Sequence, residues 1–163
     1  MSGETDTVDT IAREDFEKDF FVIFRETFEG PPAGKSSVYL DQGGGLFQTI
    51  ESLTPEAASE SAGGAPTAAA HCEHVRFYLA HLYDYMLGKR EKVDWKQTWL
   101  MQRVGPAEWE ELKAGLRREY ERLAGHLRAA GSLTENEVGV GMAVLTHTAY
   151  HLGAIRQIVR RPA

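Results

Sequence analysis

The stretch TENEVGVGMAVLTHTAYHLGAIRQIVR, residues 134–160, decides the fold. It opens on Thr134 with Glu137 three residues on, the spacing of a capping box, in which hydroxyl and carboxylate each take a backbone N–H that the first turn leaves unbonded. A helix is predicted from there to about Arg160, with Arg156, Arg160 and Arg161 near the negative end of its dipole. At 3.6 residues per turn, His147 and His151 fall about 40° apart. Val140, Val144, Thr148, Ala154, Ile155 and Ile158 share their sector, while Arg156 and Arg160 fall opposite, toward water. A helix that turns two histidines and a row of aliphatics to one side is expected to face a core or a cleft leading into it.

Three further helices are predicted upstream. The nearest opens at Pro106, carries Glu108, Glu110 and Glu111 where the dipole favours them, and runs to Gly131. Trp109, Leu112, Leu116, Tyr120, Leu123 and Leu127 form its apolar stripe. Before it, a helix is capped by Thr67 and continues to about Leu87, ahead of Gly88. The first helix spans Ile11 to Phe28, with Phe16, Phe20, Ile23, Phe24 and Phe28 at three- and four-residue intervals, and Gly30-Pro31-Pro32 stops it.

The connections are less regular. Residues 30–66 are rich in Gly, Pro, Ser and Ala, and Gly43-Gly44-Gly45 will not sit inside a regular element. Within them, Leu46-Phe47-Gln48-Thr49-Ile50 is expected to form a helical turn or two. So long a connection is expected to be functional or partly mobile. Residues 88–105 are expected to be a loop whose Trp95 and Trp99 cover one end of the core. Four helices without a strand pattern or a repeat imply an all-α fold, a four-helix bundle over residues 11–161, preceded by a flexible acidic N-terminus at 1–10.

The totals narrow the function classes. At 163 residues the chain suits one domain, and its 42% hydrophobic content suits a packed core. A net charge of −6 argues against nucleic acid or an anionic membrane as partner. No window is expected to approach the roughly 18 apolar residues needed to span a bilayer. The single cysteine, Cys72, gives no sign of an oxidising compartment, so a cytoplasmic protein is expected. The broad apolar stripes and the tryptophan-bearing loop leave room for a homodimer, and a small molecule is the expected substrate.

Five of the six histidines fall in the second and fourth helices. The i, i+4 spacing of His147 and His151 lets both imidazoles reach one ion at about 2.0–2.1 Å. A third ligand is expected from the second helix, where His71, His74 and His81 project within about 80° of one another, with Tyr78, Leu82 and Tyr85. Spacing does not choose between His71 and His74, which lie one turn apart; either serves as a ligand or as the partner that orients one.

These residues resemble the DinB/YfiT-like metal-dependent bundles. The run His147-Thr148-Ala149-Tyr150-His151-Leu152-Gly153 is similar to that family's signature in its fourth helix, including the Leu-Gly after the second histidine. In the family the ligand of the second helix lies seven residues after the Ser or Thr that starts it; Thr67 and His74 have that spacing, so the resemblance favours His74. The chain lacks the Trp that often precedes this start, where it has Pro66, and its first connection is long. The resemblance implies a metal set of His74, His147 and His151, a nickel- or zinc-like ion, and for some members chemistry that uses a low-molecular-weight thiol. The expected function is thus a metal-dependent hydrolase or thiol-dependent transferase acting on a small molecule; the alternative is a non-catalytic metal- or ligand-binding stress-response bundle.

Other signals carry less. Gly30-Pro31-Pro32-Ala33-Gly34-Lys35-Ser36 has three residues between its glycines where a phosphate-binding loop needs four, and it follows a helix. Thr148 stands where an H-E-x-x-H metalloprotease needs its glutamate. Cys72 projects roughly opposite His74 and is expected to be a packed, inert thiol. His126 is expected at the rim and His81 along a pocket. Tyr78, Tyr85 and Tyr150 are expected to pack, with hydroxyls that could reach a cleft.

Overall fold

The computed structural model describes residues 13–61, 63–130 and 132–160. The expected acidic lead-in at 1–10, the Ile11 start of the first helix, the Gly131 stop of the third helix and Arg161 lie outside them. Within the described residues the chain is all-helical. It forms α1 (Arg13–Glu29), α2 (Leu46–Glu51), α3 (Pro55–Ala58), α4 (Ala68–Met86), a 3₁₀ turn (Trp95–Trp99), α5 (Pro106–Ala129) and α6 (Glu135–Val159). The four long helices are those expected, and α2 is the expected short piece; α3, capped by the Thr54 hydroxyl on Ala57 N–H, was not anticipated.

Each long helix forms where its ends and stripe agree. Thr134 and Glu137 make the reciprocal capping box of α6, and the Thr67 hydroxyl accepts from Ala70 N–H at the start of α4. Helix α4 is central: it packs along both α5 and α6 and receives the 3₁₀ turn. Helix α1 lies on α6 and α2. Its Phe24 and Phe28 are fully buried and meet Tyr120 of α5, with ring centroids 5.9 and 4.6 Å away. Gly141 of α6 makes room for this layer, since a Cβ there would stand 2.7 Å from the Phe20 ring.

The connection after α1 is tied down by Glu26, whose buried carboxylate accepts N–H bonds from Val38, Tyr39 and Leu40 at 2.7, 2.8 and 2.7 Å. Burial alone would raise its pKa; the three N–H bonds outweigh burial and hold it below the usual carboxylate value. Gly45 then crosses α1 at backbone contact, where a Cβ would lie 2.2 Å from Gly30 N. No helical periodicity marks Glu26, because its role is to a loop and not to a helix face.

Two expectations need correction. Arg156 does not simply face water: it is half-buried, with Nη2 3.5 Å from the Asp41 carboxylate. Helix α6 is also long and apolar enough, by length and composition alone, to cross a membrane, with a mean hydropathy of 1.2 in its best window. Its apolar residues are interrupted by Thr and His, so they form no continuous run in the sequence. Val140, Val144, Leu145, Leu152 and Ile155 are nonetheless buried against the other helices.

Candidate metal centre

His74 comes from the middle of α4, and His147 and His151 from successive turns of α6. Because α4 and α6 pack side by side, their rings converge. His74 Nε2 lies 3.1 Å from His147 Nε2, and His147 Nε2 lies 3.2 Å from His151 Nε2. The three could hold a metal ion. Ligand nitrogens about 2.05 Å from a tetrahedral ion stand about 3.3 Å apart, close to both separations.

Proton placement sharpens this. The Thr98 hydroxyl, in the 3₁₀ turn, lies 2.7 Å from the Trp95 carbonyl and donates its only proton there. It therefore accepts from His74 Nδ1, 2.6 Å away, which places the proton of a neutral His74 on Nδ1 and a lone pair on Nε2. His147 Nε2 has at most one proton to offer its two neighbours. With neutral rings only one of the two short contacts is then a hydrogen bond; a cation among the three nitrogens satisfies both.

The rings are held neutral. Burial pushes the His151 pKa down to about 3, reinforced by His147, His71 and His74. Burial beside His74 likewise pushes His147 down to about 4, and burial lowers His74. A donor set of neutral imidazoles without a carboxylate would leave the charge of a bound cation uncompensated.

His71 takes the other role that spacing left open. Its Nδ1 is 2.9 Å from His151 Nδ1, on the side of that ring away from His147. When His151 Nδ1–H donates to His71, the His151 Nε2 lone pair faces the cluster. His71 thus holds the His151 ring from behind and stands outside the converging set.

The two tryptophans correct another expectation. They do not cover an end of the core: Trp99 stacks on His74 at 4.2 Å and 21° and stands edge-on to His71 at 5.3 Å, while Trp95 stands edge-on to His81 at 5.3 Å. Tyr78 stacks on His147 at 3.7 Å and 10°. Thr98 and Trp99 were not legible beforehand, since nothing local says which way a turn between two helices folds. Tyr150 is 72% exposed, its ring 5.0 Å from that of His151. Cys72 is fully buried, burial with the nearby Glu73 charge pushes its thiol up to about 12, and it is not one of the three converging side chains. His126 bonds Glu137 at 3.1 Å near the start of α6, and half-buried His81 lines a cavity beside the cluster.

Replacing Thr98 with Val keeps the volume and removes the acceptor of His74 Nδ1–H. Zinc affinity measured by competition with a chromophoric chelator is expected to fall about 10- to 100-fold. An unchanged affinity would show that Thr98 does not orient the ring.

No family model, curated protein or solved structure matches the chain.

Proposed function

We propose that this protein is a metal-dependent four-helix bundle of the DinB/YfiT-like kind, acting on a small molecule through a divalent transition ion. The observation that carries the reading is the convergence of three imidazole Nε2 atoms, two of whose contacts cannot both be hydrogen bonds. His74, His147 and His151 would hold the ion, with Thr98 and His71 orienting two of the rings. Nickel and zinc are the ions that best match a neutral nitrogen set. With three protein ligands such an ion keeps open positions, and there it supplies Lewis acidity that lowers the pKa of a bound water or thiol. The chain's own contribution is a partly buried, aromatic-walled setting in which Trp99 and Tyr78 lie flat against two of the rings and shield them from water.

The test is elemental analysis of untagged protein, followed by titration of the chelator-treated protein with Zn²⁺ and Ni²⁺. About one ion per chain is expected. If no transition metal co-purifies and neither ion binds on titration, the proposal fails. With metal bound, turnover of electrophiles in the presence and absence of a low-molecular-weight thiol separates a transferase from a hydrolase.

A further inference from the structure

Beside the histidine cluster, between α4 and the first half of α6, lies a cavity of about 680 Å³. That is within the roughly 300–1,000 Å³ typical of small-molecule sites. Its walls include Tyr78, Tyr85 and Trp95, with Leu82 and Val140 supplying aliphatic surface. Trp95 and Tyr78 stand 5.8 Å apart at 45°, so the two rings form a corner and not a stack. Tyr78 belongs to both places: it lines the cavity and lies flat against His147.

Of the Asp, Glu, Lys, Arg and His side chains, Glu135 and His81 line the cavity. No Lys or Arg lines it, and Glu135 supplies the one carboxylate among the lining residues. Glu135 and Glu137 together also outweigh the partial positive charge, about half a unit, at the start of α6. At the cavity's edge one face of the Tyr85 ring is taken by Arg90, whose guanidinium sits 3.8 Å from the ring centroid while it donates to the Tyr85 and Lys89 carbonyls. Aromatic faces around a pocket attract positive charge through their quadrupoles, more strongly as water is excluded. Trp95 is 37% exposed, so part of its surface is open to a ligand.

We propose that this cavity binds a small organic cation, an amine or quaternary ammonium group on an apolar body, with Tyr78 and Trp95 around the cation and Glu135 as its counter-charge. That such a cation is the substrate rests on the metal-dependent reading above; that it binds does not.

The test is calorimetric titration of the full chain with benzyltrimethylammonium, with N-benzylacetamide as a neutral counterpart and phenylacetate as an anionic one, followed in parallel by tryptophan fluorescence. The cation is expected to bind at least about tenfold more tightly than either counterpart. Trp95→Leu, which keeps an apolar wall but removes the ring, and Glu135→Gln are each expected to weaken it about fivefold or more. Equal affinity for the neutral compound, or wild-type affinity in both variants, would overturn the proposal. If Trp95→Leu loses its helical circular dichroism, Glu135→Gln, on the exposed first turn of α6, decides alone. Running the titrations on both chelator-treated and zinc-loaded protein separates the two claims. Cation binding by a protein that takes up neither zinc nor nickel would sink the metal reading and leave this one standing. Zinc uptake without selectivity for the cation would do the reverse.

Discussion

Alanine at position 151 is expected to weaken zinc binding at least about a hundredfold while the metal-free protein stays folded. His151 supplies one of three converging nitrogens, and the cluster contains no carboxylate to take its place. Its ring is 3% exposed, so water does not readily substitute in the same geometry. The change also leaves His71 Nδ1 without its partner and opens a small void, which together should lower the apo stability by about 1–3 kcal/mol. The readout is thermal denaturation with and without zinc. At a zinc concentration about a hundred times the wild-type dissociation constant, binding stabilises the native state by about 2.7 kcal/mol. The variant should gain almost none of this, and His81→Ala, outside the cluster, should gain it in full. A His151→Ala protein whose zinc affinity stays within threefold of wild type would remove His151 from the ligand set.

Mild acid is expected to destabilise the metal-free protein before its carboxylates titrate. Burial pushes the folded-state pKa of His147 down to about 4 and that of His151 down to about 3, whereas both titrate near 6.5 when the chain is unfolded. Between those limits the unfolded chain binds protons that the folded one refuses, so stability rises with pH across the window and falls as pH drops below 6.5. Each histidine contributes at most about 1.4 kcal/mol per pH unit. Discounting for water that reaches half-buried His147, the loss from pH 6.5 to 4.5 should be about 2–3 kcal/mol. Urea denaturation at half-unit steps of pH measures it directly. The double variant His147→Leu/His151→Leu should show a flatter profile over the same window. If its slope matches the wild type, the acid sensitivity arises elsewhere.

The same low pKa values bear on metal capture. A folded site whose imidazoles are already deprotonated at pH 6 does not compete with protons there, so zinc affinity should change little between pH 7.5 and 6. Imidazoles with ordinary pKa values would lose affinity over that interval.

Much of the fold was legible because its signals are local. Thr134 with Glu137, Thr67 as a cap, Pro106 at a first turn and the phenylalanine stripe of α1 each act within one or two turns of chain. Their positions in the sequence therefore carry their effect. The pairing of His147 with His151 is local in the same way: one helical turn separates them, and any α-helix through those residues brings the rings together.

What was not legible depended on chain segments meeting across a distance. Glu26 bonds a loop twelve to fourteen residues away, and Gly45 is required by the backbone of Gly30. Thr98 reaches His74 only because the turn Trp95–Trp99 folds back over α4. The choice between His71 and His74 is of the same kind, since the two lie a single turn apart on α4 and differ only in which part of α6 they meet. The sequence by itself determined the helices, their caps, and one helix face with two histidines at ligand spacing. Only the tertiary structure decided that α4 packs against that face in the register that sends His74 into the cluster, sets His71 behind His151 and lays Trp99 over the His74 ring. The physical reason is that helix-forming signals act through neighbours in the chain, whereas register between helices is set by side-chain packing summed over whole interfaces, which no short stretch of sequence contains.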